Sequence, residues 1–201
     1  MKESSILFLT IFAITLSAPV FAGDMGEMGE MTPEEMEMMK NFEAYSTPNA
    51  MHEKLAKMAG SWDAKVQHWM APGAPAEESM GTAESEAIFG GRFIKQEFNS
   101  EWMGQPFQGM GLFGYDNIQK EFQSIWLDSM ATGMMVSSGE LAEDGSVEEE
   151  GTFSCPLTNS ERWNRSKTTF VDEDTWTFEM FMEDESGEEF RSMLITYTRR
   201  G

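Results

Sequence analysis

Beyond residue 60, apolar side chains recur at every second position in short runs separated by Gly, Pro, Asp and Asn, the pattern of half-buried β-strands. In the first run Trp62, Ala64, Val66, His68 and Met70 share a face. In the ninth, Trp176, Phe178, Met180 and Met182 oppose Thr175, Thr177 and Glu179. Phe107, Gly109, Gly111, Phe113 and Tyr115 form one row of the fourth, and its glycines let a sheet coil sharply. The pattern predicts strands at roughly 61–70, 79–89, 92–102, 106–115, 120–129, 132–141, 146–154, 161–171, 174–183 and 188–199. Gly90-Gly91 and Asp144-Gly145 are tight-turn signals between them. Hairpin-linked strands in such number most economically close on themselves and so remove exposed edges. The expected fold is therefore all-β: a roughly ten-stranded antiparallel up-and-down barrel. A barrel of more than about eight strands is wider than its side chains readily fill, so a ligand cavity is expected. Glu84, Glu86, Lys95, Glu97, Glu148 and Arg165 interrupt both faces, which argues against strands that span an outer membrane.

The N-terminal third reads differently. Lys2, the apolar run Ile6 to Leu16 and the small residues of Val20-Phe21-Ala22 before Gly23 make residues 1–22 a signal peptide, and the apolar run is short for a membrane span, which needs roughly 20 residues. Export to a periplasm or the cell exterior is expected, with no membrane-spanning segment left in the mature chain. Residues 23–49 form an acidic, Met-rich arm. Thr32 as N-cap, Pro33 at the first position and Glu35 closing a capping box predict a helix at about 33–45. A second short helix at 50–58 places Met51, Leu55 and Met58 on one face, and the barrel domain fills 50–201. Met25, Met28 and Met31 recur at every third position. Thioethers are soft ligands suited to Cu(I), but the intervening glycines preorganise nothing, and a flexible tether explains the spacing as well.

Composition narrows the function. With 35 acids against 14 Lys and Arg the net charge is −21, which excludes nucleic acid as a partner and disfavours anionic membranes. The acids cluster at turns: Glu140–Glu150 and Asp172–Asp174 at one end of the meander, Glu183–Glu189 at the other. These read as solvated rims that keep a monomer soluble. A weak Ca²⁺ site on the Glu143-Asp144 or Asp172–Asp174 turn is the sharper alternative. Hydrophobic residues at 40% and aromatics at 12% exclude a wholly disordered chain. A single cysteine forms no intramolecular disulfide, and Cys155, beside Pro156, reads as a small loop residue. No histidine follows His68 to serve as its base.

A longer set of motifs carries a resemblance. Gly60-Ser61-Trp62 follows a short helix and opens the first strand, the Gly-x-Trp arrangement of lipocalin-like (calycin) barrels. With it stand Leu55-Ala56-Lys57-Met58-Ala59, Met70-Ala71-Pro72-Gly73-Ala74-Pro75, Gly90-Gly91-Arg92-Phe93, Gly109 to Asn117, Trp126-Leu127-Asp128-Ser129-Met130 and Ile195-Thr196-Tyr197-Thr198-Arg199. Together these resemble the bacterial domain of unknown function 1579 family, from about residue 50 to the C-terminus. The resemblance implies a calycin-like barrel and transfers no established activity. In lipocalin-like barrels an Arg after the last strand often covers the first Trp, so it implies Arg199 or Arg200 over Trp62. Haem-binding relatives of this architecture use a late histidine, which this chain lacks, so no cofactor is expected.

Any ligand site is expected inside the barrel, at Trp102, Tyr115, Trp126, Trp176 and Arg191, with Arg92 at a mouth. Apolar walls with a few placed polar groups suit a small hydrophobic or amphipathic molecule. No nucleophile-elbow, zinc-helix, phosphate-loop or dinucleotide motif is present. The expected function is thus non-enzymatic binding. The alternatives are copper binding by the arm and a carboxylate-dependent enzyme in the cavity.

Overall fold

A computed structural model describes residues 31–102, 104–156 and 158–201. The signal peptide, Met25 and Met28 lie outside the described residues. Two helices, α1 (Pro33–Ser46) and α2 (Ala50–Ala56), precede ten strands. These are β1 (Gly60–His68), β2 (Glu77–Ile88), β3 (Phe93–Trp102), β4 (Gln105–Asp116), β5 (Glu121–Asp128), β6 (Met135–Leu141), β7 (Val147–Cys155), β8 (Ser160–Phe170), β9 (Thr175–Glu183) and β10 (Glu189–Arg199). Each strand pairs antiparallel with its sequence neighbours, and β1 pairs with β10 to close the barrel.

Local chemistry sets the helix ends. Thr32 Oγ1 accepts from the Glu35 amide, and Glu35 Oε2 accepts from the Thr32 amide at 2.8 Å, the reciprocal capping box. Pro48 forces Thr47 into an extended conformation and ends α1. Asn49 caps α2 through its side chain, which accepts from the Met51 amide at 2.8 Å. Leu55 and Met58 then drop into one end of the barrel.

Strand alternation places Trp62, Ala64 and Val66, Ile94 and Phe98, and Trp176 and Phe178 on the inner wall. Cys155 is the buried last residue of β7 rather than a loop residue. One irregularity has consequences. In β10 the register jumps between Arg191, opposite Phe181, and Met193, opposite Met180, so that Ser192 is an inserted bulge residue. The bulge reverses which face odd-numbered residues occupy: Met193, Ile195 and Tyr197 face in, while Arg191 faces out.

Candidate functional site

The two ends of the barrel differ. At the first, Trp62 is sealed in on every side. Its Nε1–H donates to the Met58 carbonyl at 2.7 Å, and the Arg199 guanidinium carbon lies 4.1 Å from the ring centroid. Arg199 is fixed in turn by donating to the Ala59 and Glu173 carbonyls. A Cβ on Gly60 would sit 2.5 Å from Arg199 Nη1, and Gly60 adopts φ +129°, so only glycine fits beneath this lid. Arg200 instead straps the outside, pairing with Asp63 and Glu84. At the second end no helix among the described residues intervenes, and the inward residues His68, Trp102, Phe107, Trp126 and Phe153 are only half-buried. This is the solvent-reachable mouth.

Between the ends, aromatic and aliphatic side chains take up much of the space that the barrel encloses. The inward glycines of β4 leave a shelf on which the Trp126 ring lies: a Cβ on Gly109 would overlap its six-membered ring. A Cβ on Gly111 would meet Phe113 at 2.6 Å and Trp126 at 3.4 Å. The void walled by Leu55, Met58, Phe122, Val147, Glu149 and Thr168 measures about 10 Å³, room for one water. Gly109→Ala is therefore expected to destabilise the barrel by about 1–3 kcal/mol through overpacking. A thermal melt with Trp fluorescence checks this, and an unshifted melt refutes the shelf.

The inner wall is chemically two-sided. Phe98 meets Phe107 and Trp126 edge-on at 6.1 and 6.2 Å on one side. Facing inward from β5–β8 are Ser124, Ser137, Glu149, Asn164, Ser166 and Thr168. Glu149 is 6% exposed, and burial, opposed by the Ser124 hydroxyl, pushes its carboxyl up to about 7. The nearby cations do not compensate it. Lys167 is held outside by Asp144 and Glu148, and Arg165 by Glu148 and Glu189. Among the described residues no protein group hydrogen-bonds Glu149 Oε1, Asn164 Nδ2, Trp176 Nε1 or His68 Nδ1. By contrast Gln96, equally buried, donates to Ser85 Oγ at 3.1 Å. Glu149 and Asn164 were missed in the sequence because Glu148–Glu150 reads as a charged rim. The signal was there in the alternation, since Glu149 shares a face with Val147.

The residues singled out from sequence scatter. Trp102 and Trp126 line the mouth half of the interior: Trp102 meets His68 edge-on at 5.0 Å, and Trp126 Nε1 donates to Asp128 at 3.0 Å. Tyr115 and Trp176 lie at the sealed end. Tyr115 meets His52 and Phe122, and Trp176 stacks on Tyr197 at 3.7 Å between centroids. Arg191 is not in the interior; the Ser192 bulge turns it out to pair with Glu179 at 2.7 Å over Trp69. Arg92 sits on the sealed rim, its guanidinium spent on the Phe89 and Ser46 carbonyls. Met31 is exposed ahead of α1. At the acidic turns, Lys167 and Ser146 occupy the Asp144 carboxylate, and Asp172 accepts from the Asp174 amide. Among the described residues no three His, Cys, Asp or Glu side chains converge as a metal site.

Comparisons with known proteins place this geometry. The crystal structure of Rv2717c from M. tuberculosis is similar in fold, with a TM-score of 0.52 at 13% identity, covering 77% of this chain and 100% of that one. At that identity it speaks for the barrel alone. No curated protein matches the chain. The family model described as "Protein of unknown function (DUF1579)" matches residues 47–199, which takes in α2 and the barrel to its last strand. By that match the chain belongs to the DUF1579 family.

Proposed function

We propose that the protein is an exported, non-enzymatic barrel that binds a small amphipathic molecule through the end opposite α2. The observation that carries the reading is the pair of buried polar atoms without protein partners, Glu149 Oε1 and Asn164 Nδ2, set deeper than a half-exposed aromatic mouth. Folded proteins leave few buried polar groups unpaired, so a molecule that supplies partners here gains hydrogen bonds that the protein's own groups do not make. Its apolar part would lie against Phe98, Phe107 and Trp126. The void beside Glu149 holds about one water, so a larger molecule enters there only if side chains move, and the inward methionines Met180, Met182 and Met193 are suited to that by their flexible, unbranched chains. Export rests on the N-terminal pattern of residues 1–22.

Native mass spectrometry of protein purified from its host tests the reading. The expected result is an added organic mass that is lost on denaturation and depleted in an Asn164→Leu variant. A bare polypeptide mass under gentle ionisation would overturn it.

A further inference from the structure

The sealed end carries an apolar surface that the interior reading does not use. Met38, Phe42 and Tyr45 form one stripe of α1 at spacings of four and three, and all are exposed, Phe42 at 69%. The 14 residues of α1 bury nothing, and a helix of about that length is marginal alone in water. Yet its last turn is clamped. Asn117 Nδ2 donates to the Ala44, Tyr45 and Thr47 carbonyls at 2.9, 3.1 and 2.9 Å. Asn49 Nδ2 donates to Asn117 Oδ1 at 2.7 Å, and Arg92 Nη2 to the Ser46 carbonyl at 2.6 Å. The two clamping residues sit on the β2–β3 and β4–β5 hairpins, whose tips present Phe89 and Ile118 to solvent at 74% and 69%. Phe89 is held there at φ +49°, a left-handed conformation that bulky residues avoid. Its ring meets Phe93 edge-on at 6.4 Å. The clamps thus join the α1 stripe and two exposed hairpin tips at one end of the barrel.

We infer that this surface docks a cationic amphipathic helix supplied by another protein. Charge selects the partner. Glu34, Glu35, Glu37 and Glu43 flank the stripe against Lys40 alone on α1, so a helix with apolar residues on one face and Lys or Arg beside them matches both features. A second copy of this chain, at net charge −21, meets like charge, as does an anionic lipid surface. Met38 of the stripe adapts to a partner's shape at little cost.

Isothermal titration of the full chain with a synthetic peptide of two Leu-Lys-Lys-Leu-Leu-Lys-Leu heptads tests this. Saturable binding is expected, weakened about tenfold or more in a Met38→Ser, Phe42→Ser, Ile118→Ser variant that keeps every charge. The three residues are exposed, so the variant's barrel melt should match the parent's. Binding that survives in the variant, or equally tight binding of a peptide with Gln at each Leu, overturns the proposal as mere charge attraction. Self-association abolished by the same variant, or uptake by phosphatidylcholine vesicles in place of the peptide, overturns it in favour of a second copy or a lipid surface.

Discussion

Replacing Trp62 with alanine is expected to cost about 3–5 kcal/mol, the usual range for emptying a large aromatic from a core. For a domain of this size that lowers the melting temperature by roughly 6–20 °C. The reason is local and cumulative. The ring is 1% exposed and meets Trp176 edge-on at 6.0 Å, and Tyr197 is stacked behind Trp176. Its loss therefore undermines three aromatics rather than one. It also removes the donor for the Met58 carbonyl, the last buried anchor between α2 and the barrel. Arg199 would keep its bonds to Ala59 and Glu173 but lose the ring beneath it. Circular dichroism melts of the wild type, Trp62→Phe and Trp62→Ala separate these contributions. Trp62→Phe should fall between the other two, because it keeps the packing and loses the hydrogen bond. Equal melts for wild type and Trp62→Ala would show that the end is closed by something else.

The strands were legible because Gly, Pro, Asp and Asn clusters punctuate their ends and because β1, β4 and β9 carry apolar or glycine rows at alternate positions, and no predicted strand boundary departs from the structure by more than three residues. Legibility failed wherever alternation was interrupted or outvoted. A single inserted residue, Ser192, moved Arg191 from the inner face to the outer, and no composition signal marks such a bulge. At Glu148–Glu150 the run of charge outweighed the alternation that carries Glu149 inward with Val147. The glycines of β4 predict a sheet that coils sharply. They also form a shelf for Trp126, a relation between neighbouring strands that strand spacing alone does not encode. The site was thus half visible: its aromatic wall could be read from the sequence, while its polar wall required the register.

Glu149→Gln should stabilise the protein at alkaline pH and leave it unchanged in acid. In the unfolded chain the carboxyl ionises near 4.5, and in the barrel burial pushes it up to about 7. Between those values the folded state holds the proton more tightly than the unfolded one, so stability falls as pH rises through that window. Above pH 7 the full penalty applies, about 3 kcal/mol for a displacement of this size. Glutamine keeps the shape and cannot ionise. At pH 8 the variant should therefore melt roughly 6–12 °C higher, with the difference vanishing below pH 4.5. Carboxylates held low by their partners, such as Glu189 beside Arg165 and Asp184 beside Ser186, weaken both proteins alike in acid, so the difference between variant and wild type isolates Glu149. A gain that is equal at pH 4 and pH 8 would mean that packing, not ionisation, was changed. A side chain that weakens the fold above neutrality is of the kind a binding site retains at the expense of stability. On that reading the same variant, though more stable, should lose the organic mass carried by the wild type.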